Sequence, residues 1–548
     1  TLVVGFRVAE ANNAVFLLDA LASMVQMIGL QVDEAKPFIQ RLKSMELENG
    51  KAMTISLDTD LIPMEELDED QREIAAKVIE LLEGRSVSFA MGVKDGVLLT
   101  VFSENKSAIG QVMARENNLL SHPKLAVLRN ADTSRLRSVN YVSKEFKESQ
   151  WNANFSGYFQ RMSGQVQMAM KSSDENGQLQ SLAEEIETDA RWLDEKLASA
   201  GGTFGETLTW SVATDKGSEG YSYDWSSNKL LQNAVPLSLL DHAGDSPLLM
   251  FALKQNENEI AKQMVEYVLG RIPEYVRQGI ELSEQDESKK AEALDLFGRA
   301  WPLVVDAYEI LRDKVAPSMS GNESLFVFSG LWSTDTLGPN APPPSGPLPL
   351  PEFAIASSMD NRDMFINGCS ELYGVFDRVV ELVREVNPNA VPADYEIPRP
   401  VKASIEGGSS YTYEQLAASV PLEGFNPQVA VTDQVLVIGY SQRQVDSMLR
   451  AKKLRAMPAW ITPSTPVAAF GYADMAGIVQ TIRPWIEFGL SVTNPDLDQP
   501  LAPGPGPIPT GNDVLRIWDC FTSMGKAAST VTVSDSGPTV GRWVWVSE

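Results

Sequence analysis

The chain is poor in the side chains that most enzymes use near neutral pH. Its 548 residues include two histidines, His122 and His242, and two cysteines, Cys369 and Cys520. A zinc site built mainly from Cys and His needs more ligands than that, and no CxxC pair is present. The cysteines either form one disulfide or sit apart as buried apolar residues, and their spacing does not decide. Walker, GxGxxG, GxSxG and HExxH signatures are all missing. No apolar run is long enough to span a bilayer. Val15 to Leu30 comes nearest, but Asp19 and Gln26 interrupt it. Positive charge is also scarce. Lys and Arg number 46 against 73 Asp and Glu, a net charge of −27. Such a chain is repelled by nucleic-acid phosphates and anionic lipid, so neither is an expected partner.

What the chain does contain is repetition. Val93-Lys-Asp-Gly-Val-Leu-Leu-Thr-Val-Phe-Ser103 recurs as Val431-Thr-Asp-Gln-Val-Leu-Val-Ile-Gly-Tyr-Ser441, an offset of 431 − 93 = 338. Val97 to Phe102 and Val435 to Tyr440 are apolar on both alternating faces, Gly439 excepted. That pattern predicts strands central in a sheet and covered on both sides. Asp95-Gly96 predicts a two-residue hairpin turn, because Gly accepts positive φ. Gln434 replaces that Gly in the second copy and implies another turn type. A helix is expected after each strand, with Ile109, Val112 and Met113 in one copy and Val445, Met448 and Leu449 in the other.

Three further pairs follow the same order. Leu125 to Asp132 matches Val467 to Asp474 as a short strand ending in Ala-Asp, a helix N-cap signal. Helices carrying Leu136 and Val139, and Ile478 and Ile482, are expected next. Asp215-Lys-Gly217 leads to Tyr221, Tyr223 and Trp225; Asp535-Ser-Gly537 leads to Trp543 and Trp545. Both read as hairpins, each after an apolar helix, around Trp192 to Leu197 and Leu515 to Phe521. Leu2 to Val8 and Leu248 to Leu253 open the two halves as strands. The expected fold is α+β with an internal duplication: two antiparallel-rich sheets with packed helices. Residues 1–228 form the first half, 229–246 the join, and 247–548 the second half with helical and proline-rich insertions.

Within the first half, helices are expected at about 11–29 and 33–45. The acidic run Glu65 to Glu73 reads as a helix start. In the second half a long helical region, roughly 256–315, is expected to kink or divide at Pro302. Ser324 to Trp332 and Phe353 to Ser357 read as strands, and 361–386 as a helix. Residues 339–351 and 499–509 are rich in proline and are expected to be exposed and to lack regular hydrogen bonds.

Candidate chemistry is sparse. Asp241, His242 and Ser246 are triad residue types, but neighbours in sequence rarely form a triad. Asp58/Asp60 and Asp496/Asp498 lack the Gly and Glu of a calcium loop. No catalytic, cofactor or metal residues are nominated, and no cofactor is expected. Met162, Met168 and Met170 read as core filling, with a binding groove as the alternative. Trp543 and Trp545 read as buried in the chain, with a partner surface as the alternative. These five form the candidate apolar contact surface.

The repeated VxDxVL…S block and the hairpin endings resemble uncharacterised extracytoplasmic bacterial proteins built from two related strand-and-helix halves. That resemblance implies secretion and a large curved sheet. The start at Thr1, almost directly in a strand, fits a processed chain whose signal peptide is lost. The leading expectation is a non-enzymatic periplasmic or extracellular scaffold or binding protein, with a protein partner or self-association. The alternatives are a carrier of an apolar ligand, held between a curved sheet and helices, and a carboxylate-dependent carbohydrate-active hydrolase.

Overall fold

The computed structural model describes the chain apart from residues 32–38, most of 58–86, 104–121, 174–179, 451–464, 501–508 and stretches of one to four residues elsewhere. The fold is α+β. In chain order the first elements are β1 (Leu2–Arg7), α1 (Ala11–Gln31), β2 (Lys43–Leu47), β3 (Gly50–Leu57), β4 (Val87–Lys94), β5 (Val97–Ser103), β6 (Leu136–Val142), α2 (Lys144–Phe155), α3 (Tyr158–Ser173), α4 (Gln180–Gly201), β7 (Thr207–Thr214) and β8 (Gly217–Asp224). Then come β9 (Leu249–Lys254), α5 (Glu259–Glu281), α6 (Glu287–Ile310), β10 (Glu323–Thr334), β11 (Leu348–Ser358), α7 (Arg362–Val386), β12 (Val401–Ile405), β13 (Gly408–Thr412), α8 (Glu414–Ser419), β14 (Gln428–Thr432) and β15 (Val435–Gly439). The last are α9 (Gln442–Leu449), β16 (Ala469–Asp474), α10 (Met475–Thr493), α11 (Gly511–Cys520), β17 (Lys526–Thr532) and β18 (Thr539–Val546). Two compact units result. The first holds Thr1–Asn154, Gly201–Asn228 and Pro538–Arg542; the second holds Phe155–Ala200, Lys229–Gly537 and Trp543–Glu548.

In the first unit the strands lie in the order β2-β3-β4-β5-β1-β6-β7-β8, every pair antiparallel. In the second the order is β12-β13-β14-β15-β11-β10-β9-β16-β17, again antiparallel. One order therefore recurs, with β10 and β9 added between β11 and β16. The registers agree as well. Val93 faces Leu98 in one hairpin and Val431 faces Leu436 in the other, both pairs 338 apart. Gly5 faces Leu99, and Ala356 faces Val437. The offset 356 − 5 = 351 also separates the first residues of α1 and α7, 362 − 11. By position, then, the counterpart of β1 is β11, whereas the sequence pairing had chosen Leu248 to Leu253. That segment is indeed a strand, β9, but it keeps only one side of the β1 role, pairing with β16 as β1 pairs with β6.

Both repeat strands are interior, β5 between β4 and β1, and β15 between β14 and β11. Cover on both faces is incomplete: Phe102 and Ile438 stay 43% and 45% exposed. The glycine missing from the second turn is replaced by a side-chain device. Thr432 Oγ1 accepts the backbone N–H groups of Gln434 at 3.2 Å and Val435 at 3.0 Å. A threonine turn thus does locally what positive φ does in a glycine turn.

The core of the second unit lies under the inner faces of β9, β10, β11 and β15. Met250, Ala252, Leu325, Val327, Ala354, Ala356 and Val437 meet Val445 and Met448 of α9 there. Fully burying each Val, Leu or Met contributes about 1.5–3 kcal/mol. Gly439 lets α9 seat closely, since a Cβ there would stand 2.8 Å from Val445 Cγ2. In the first unit Leu125, Leu128, Leu208 and Trp210 form the core with Tyr221, Tyr223 and Trp225, Trp210 stacking on Tyr221 with centroids 4.5 Å apart.

Several expectations are corrected. Residues 229–246 are not a bare join, because Leu237, Leu239, Leu240 and Ala243 are buried in the second core. Glu323 fixes them, its carboxylate accepting Ser238 Oγ at 2.9 Å and the Leu239 N–H at 2.7 Å. Pro123–Asn130 is a 3-10 helix, and the strand is Leu136–Val142, where a helix was expected. Lys43–Leu47 is a strand and does not continue a helix from 33. Pro302 sits inside α6 without dividing it, and the helical region is in two helices, α5 ending at Glu281 and α6 starting at Glu287. Leu348–Pro351 belongs to β11, with Ser333 facing Pro349. Proline is tolerated there because β15 pairs only with Ala354–Ser358, leaving that end of β11 one described neighbour. Residues 339–341 and 501–508, Ile109, Val112, Met113, Asp95-Gly96 and the run Glu65 to Asp70 with Glu73 lie outside the described residues.

Thr432→Val keeps the shape but removes both acceptor contacts of the β14–β15 turn. Stability is expected to fall by about 1–2 kcal/mol in urea unfolding. An unchanged midpoint would show that the strand pairing alone holds the turn.

Candidate functional site

Among the described residues a long apolar concavity lies between α6 and α7. Both helices start from side-chain caps: Asp286 accepts from the Lys289 N–H and Asn361 from the Met364 N–H. Leu296, Ala300, Leu303, Ala307 and Ile310 repeat at steps of four and three along α6. Leu372, Val375, Val379, Leu382 and Val386 do the same along α7. Such spacing keeps an apolar seam on one side of each helix. The helices run antiparallel, and three ion pairs cross between their neighbourhoods: Arg299–Glu385, Arg378–Asp306 at 2.8 Å, and Lys314–Glu371.

The steps of this ladder are informative. On α7 the residues fall seven apart, at 371, 378 and 385. On the other strand of the ladder the steps are 306 − 299 = 7 and 314 − 306 = 8. The extra residue is absorbed by a π turn at Leu311–Val315, where the Ala316 N–H reaches back five residues to the Leu311 carbonyl at 2.8 Å. Without it, Asp313 would face Glu371. With it, the base Lys314 does, and Asp313 instead pairs with Arg312, whose guanidinium holds the Asp313 carboxyl below its ordinary range.

At the π-turn end the helices come close. A Cβ on Gly368 would stand 3.0 Å from Val315 Cγ2. Towards the other end the seam stays open as a groove of about 720 Å³. Its walls include Leu296, Ala300, Val304, Val379, Leu382 and Val383, and Asn387 is the one polar residue among the lining side chains. Next to it, a polar cleft of about 540 Å³ is lined by Asp306, Glu309, Asp313, Lys314, Glu371 and Arg378 among others. Asp306, Asp313 and Glu371 each face a base there. A general acid needs the opposite setting, a carboxyl raised by apolar surroundings.

Two other clusters deserve comparison. The second unit's sheet carries a half-exposed aromatic row on the face opposite its core. Phe328 and Phe353 stack at 5.0 Å, Phe326 lies 5.9 Å from Phe353, and Tyr440 6.3 Å from it. The helices α4 and α5 are joined by a polar seam around Asp189, which accepts from Tyr267 at 2.6 Å and from Arg271 and Tyr275. Trp192 stacks on Tyr267 with centroids 3.9 Å apart. Burial alone would raise the Asp189 carboxyl; the hydrogen bonds from Tyr267, Tyr275 and Arg271 outweigh it and hold it low. The same burial, with the bond to Asp189, pushes Tyr267 up to about 12.

The five residues of the candidate contact surface do not come together as one site. Met162 and Met168 are exposed on α3, at 51% and 72%, and Met170 is half-buried. Core filling is therefore wrong for the first two. Trp543 and Trp545 are half-buried, and Trp545 Nε1 donates to the Met524 carbonyl. His242 Nδ1 lies 2.8 Å from the Met448 carbonyl, and the His122 ring sits 5.7 Å from that of Tyr141. Ser246, Asp58 and Asp60 lie outside the described residues. Asp496 caps its own loop, accepting the Asp498 N–H at 3.1 Å. Cys369 and Cys520 are unpaired, and burial raises the Cys369 thiol. Among the described residues no group of acids, His and Cys could hold a metal, and no helix is long and apolar enough to cross a membrane. Comparison with family models, curated proteins and solved structures finds no match. The α6–α7 groove was missed from the sequence, although its heptad steps were visible there.

The lowered Asp189 carboxyl has a defined pH consequence. Its folded pKa lies below the unfolded one near 3.9, so its contribution is complete above that value and is lost as pH falls through the folded pKa. Asp189→Asn is expected to flatten the decline of stability between about pH 5 and pH 2, read by urea unfolding across that range. Equal pH slopes in the two proteins would contradict the seam's role.

Proposed function

We propose that the protein is a non-enzymatic binding protein that takes an amphipathic helix into the α6–α7 groove. The observation that carries this reading is the groove itself: about 720 Å³, walled by two antiparallel helices and apolar but for Asn387. A drug-sized pocket has similar volume but buries most of its ligand. This groove is open along its length, which suits a helix that inserts one face and keeps the other in water. Apolar side chains at i, i+3, i+4 and i+7 of the guest would continue the alternation of the walls. The ion pairs beside it support the reading by fixing the spacing of the helices without entering the groove.

A periplasmic or extracellular location, and descent of the two halves from one duplicated unit, form part of the same proposal. The shared strand order and the matched offsets of 338 and 351 support the duplication. A second reading, a carrier of an apolar ligand, is favoured by the aromatic row Phe326, Phe328, Phe353 and Tyr440 on the open sheet face.

The test is a titration with a synthetic peptide of Leu and Lys at helical spacing, followed by circular dichroism and anisotropy. The peptide is expected to become helical on binding, and Val379→Asp is expected to weaken it at least tenfold. The added carboxylate would strengthen a purely electrostatic attraction to a cationic peptide, so equal or tighter binding by the variant refutes the groove.

A further inference from the structure

Glu352 points to the core side of β11 and is 1% exposed, which is rare for a carboxylate. Its donors all reach one oxygen. Oε2 accepts from Ser329 Oγ at 2.9 Å, from the Trp332 N–H at 3.2 Å and from Arg443 Nη2 at 3.3 Å. Oε1 is sealed from solvent, and among the described residues nothing donates to it. The charge is poorly matched as well. The Arg443 side chain is 59% exposed, so water screens much of its field.

A second orphan acceptor lies against the same residue. Gln444, 6% exposed in the first turn of α9, donates through Nε2 to the Glu352 carbonyl at 3.3 Å. That carbonyl fixes which way the amide faces, because a flipped Gln444 would set oxygen against oxygen. Gln444 Oε1 is thereby held as an acceptor. It too is buried and has no donor among the described residues. Consecutive residues of α9 thus grip residue 352, Arg443 at the carboxylate and Gln444 at the main chain. They leave two buried oxygens unanswered. Buried polar atoms are nearly always paired, so two orphans on touching residues mark a place for a group that the chain does not supply.

Both oxygens accept, so the missing group is a donor or a cation. A water meets the hydrogen bonds but leaves the buried charge as it is, and burying a charge that is poorly paired is costly. One carboxylate and one amide oxygen form a hard donor set, without nitrogen or sulfur. Calcium needs a larger shell of protein oxygens, and structural zinc prefers His and Cys. A singly charged ion asks for less of both. We propose that Glu352 Oε1 and Gln444 Oε1 hold a small monovalent metal cation, sodium or potassium, with water completing its shell. The place has a structural consequence. Glu352 answers the bulge of β10, and Arg443 and Gln444 belong to α9, whose Val445 and Met448 enter the core. An ion there ties the bulge, β11 and α9 together, so its binding stabilises the second unit by mass action.

The test is thermal unfolding of the full chain in sodium, potassium and N-methylglucamine chlorides, each titrated at constant ionic strength. The bulky organic cation controls for screening of the acidic surface. A small cation is expected to raise the Tm above that in N-methylglucamine, and the rise is expected to saturate. The ion that acts at the lower concentration is the occupant. Glu352→Gln keeps an acceptor for Ser329 and Trp332 but removes the charge, and the difference between small and organic cations is expected to vanish. If that variant does not fold, Gln444→Met, which keeps the carboxylate, is used in its place. The cation concentration at half effect is then expected to rise about tenfold. Equal midpoints of the wild type in the three salts would mean that water fills the place and would overturn the proposal. So would a rise of the same size in wild type and Glu352→Gln, or an unchanged half-effect concentration in Gln444→Met.

Discussion

One extra residue in a helix sets the geometry on which the groove depends. The π turn at Leu311–Val315 shifts the ladder by one position and brings Lys314, not Asp313, against Glu371. A regular helix would place two acids together at the end where Gly368 brings the helices into contact. The like charges would oppose that close approach, and the seam would lose its fixed end. With the end fixed, the helices diverge from it and the apolar seam opens. The ion pairs themselves are exposed and add little stability. Their effect is on register, which is where charged side chains commonly act in helix pairs.

Buried polar groups do related work elsewhere. Glu323 ties the segment around Leu239 to the sheet. Glu352 answers a β-bulge. The register shift between Ser329 and Trp332 takes the Trp332 N–H out of the ladder, and the Glu352 carboxylate accepts it at 3.2 Å together with Ser329 Oγ at 2.9 Å. An unanswered N–H in that place would cost about 1–3 kcal/mol. Both acids thus satisfy backbone irregularities within the second unit's fold.

Much of the architecture was legible because it rests on local rules. Apolar alternation found β5 and β15, and turn residues found the β7–β8 hairpin. The helix read at 361–386 runs from Arg362 to Val386, with Asn361 as its cap. The misses have physical causes. Leu125 to Leu128 is a short apolar run, which periodicity cannot assign to strand or 3-10 turn. Pro302 was read as a kink or a division, and α6 continues through it undivided. Similarity in composition marked β9 beside β1, whereas pairing partners, which are not local, put β11 in the matching place of the strand order. The groove was overlooked for another reason. Attention to methionines and tryptophans favoured single conspicuous residues, while the site consists of ordinary Val, Leu and Ala at heptad steps.

The acidity of the chain and its exposed apolar surface are best understood together. A monomeric soluble protein seldom leaves apolar patches uncovered, because they drive association. Here the apolar lining of the groove is accompanied by a net charge of −27, which sets a long-range repulsion against the short-range attraction. The Debye length of about 8 Å at physiological salt confines that repulsion to the near surface. Random encounters between copies then meet mostly acidic surface and separate. An apolar side chain that reaches the charge-free lining of the groove meets less of that barrier. The same balance therefore sets the groove apart from the acidic surface around it.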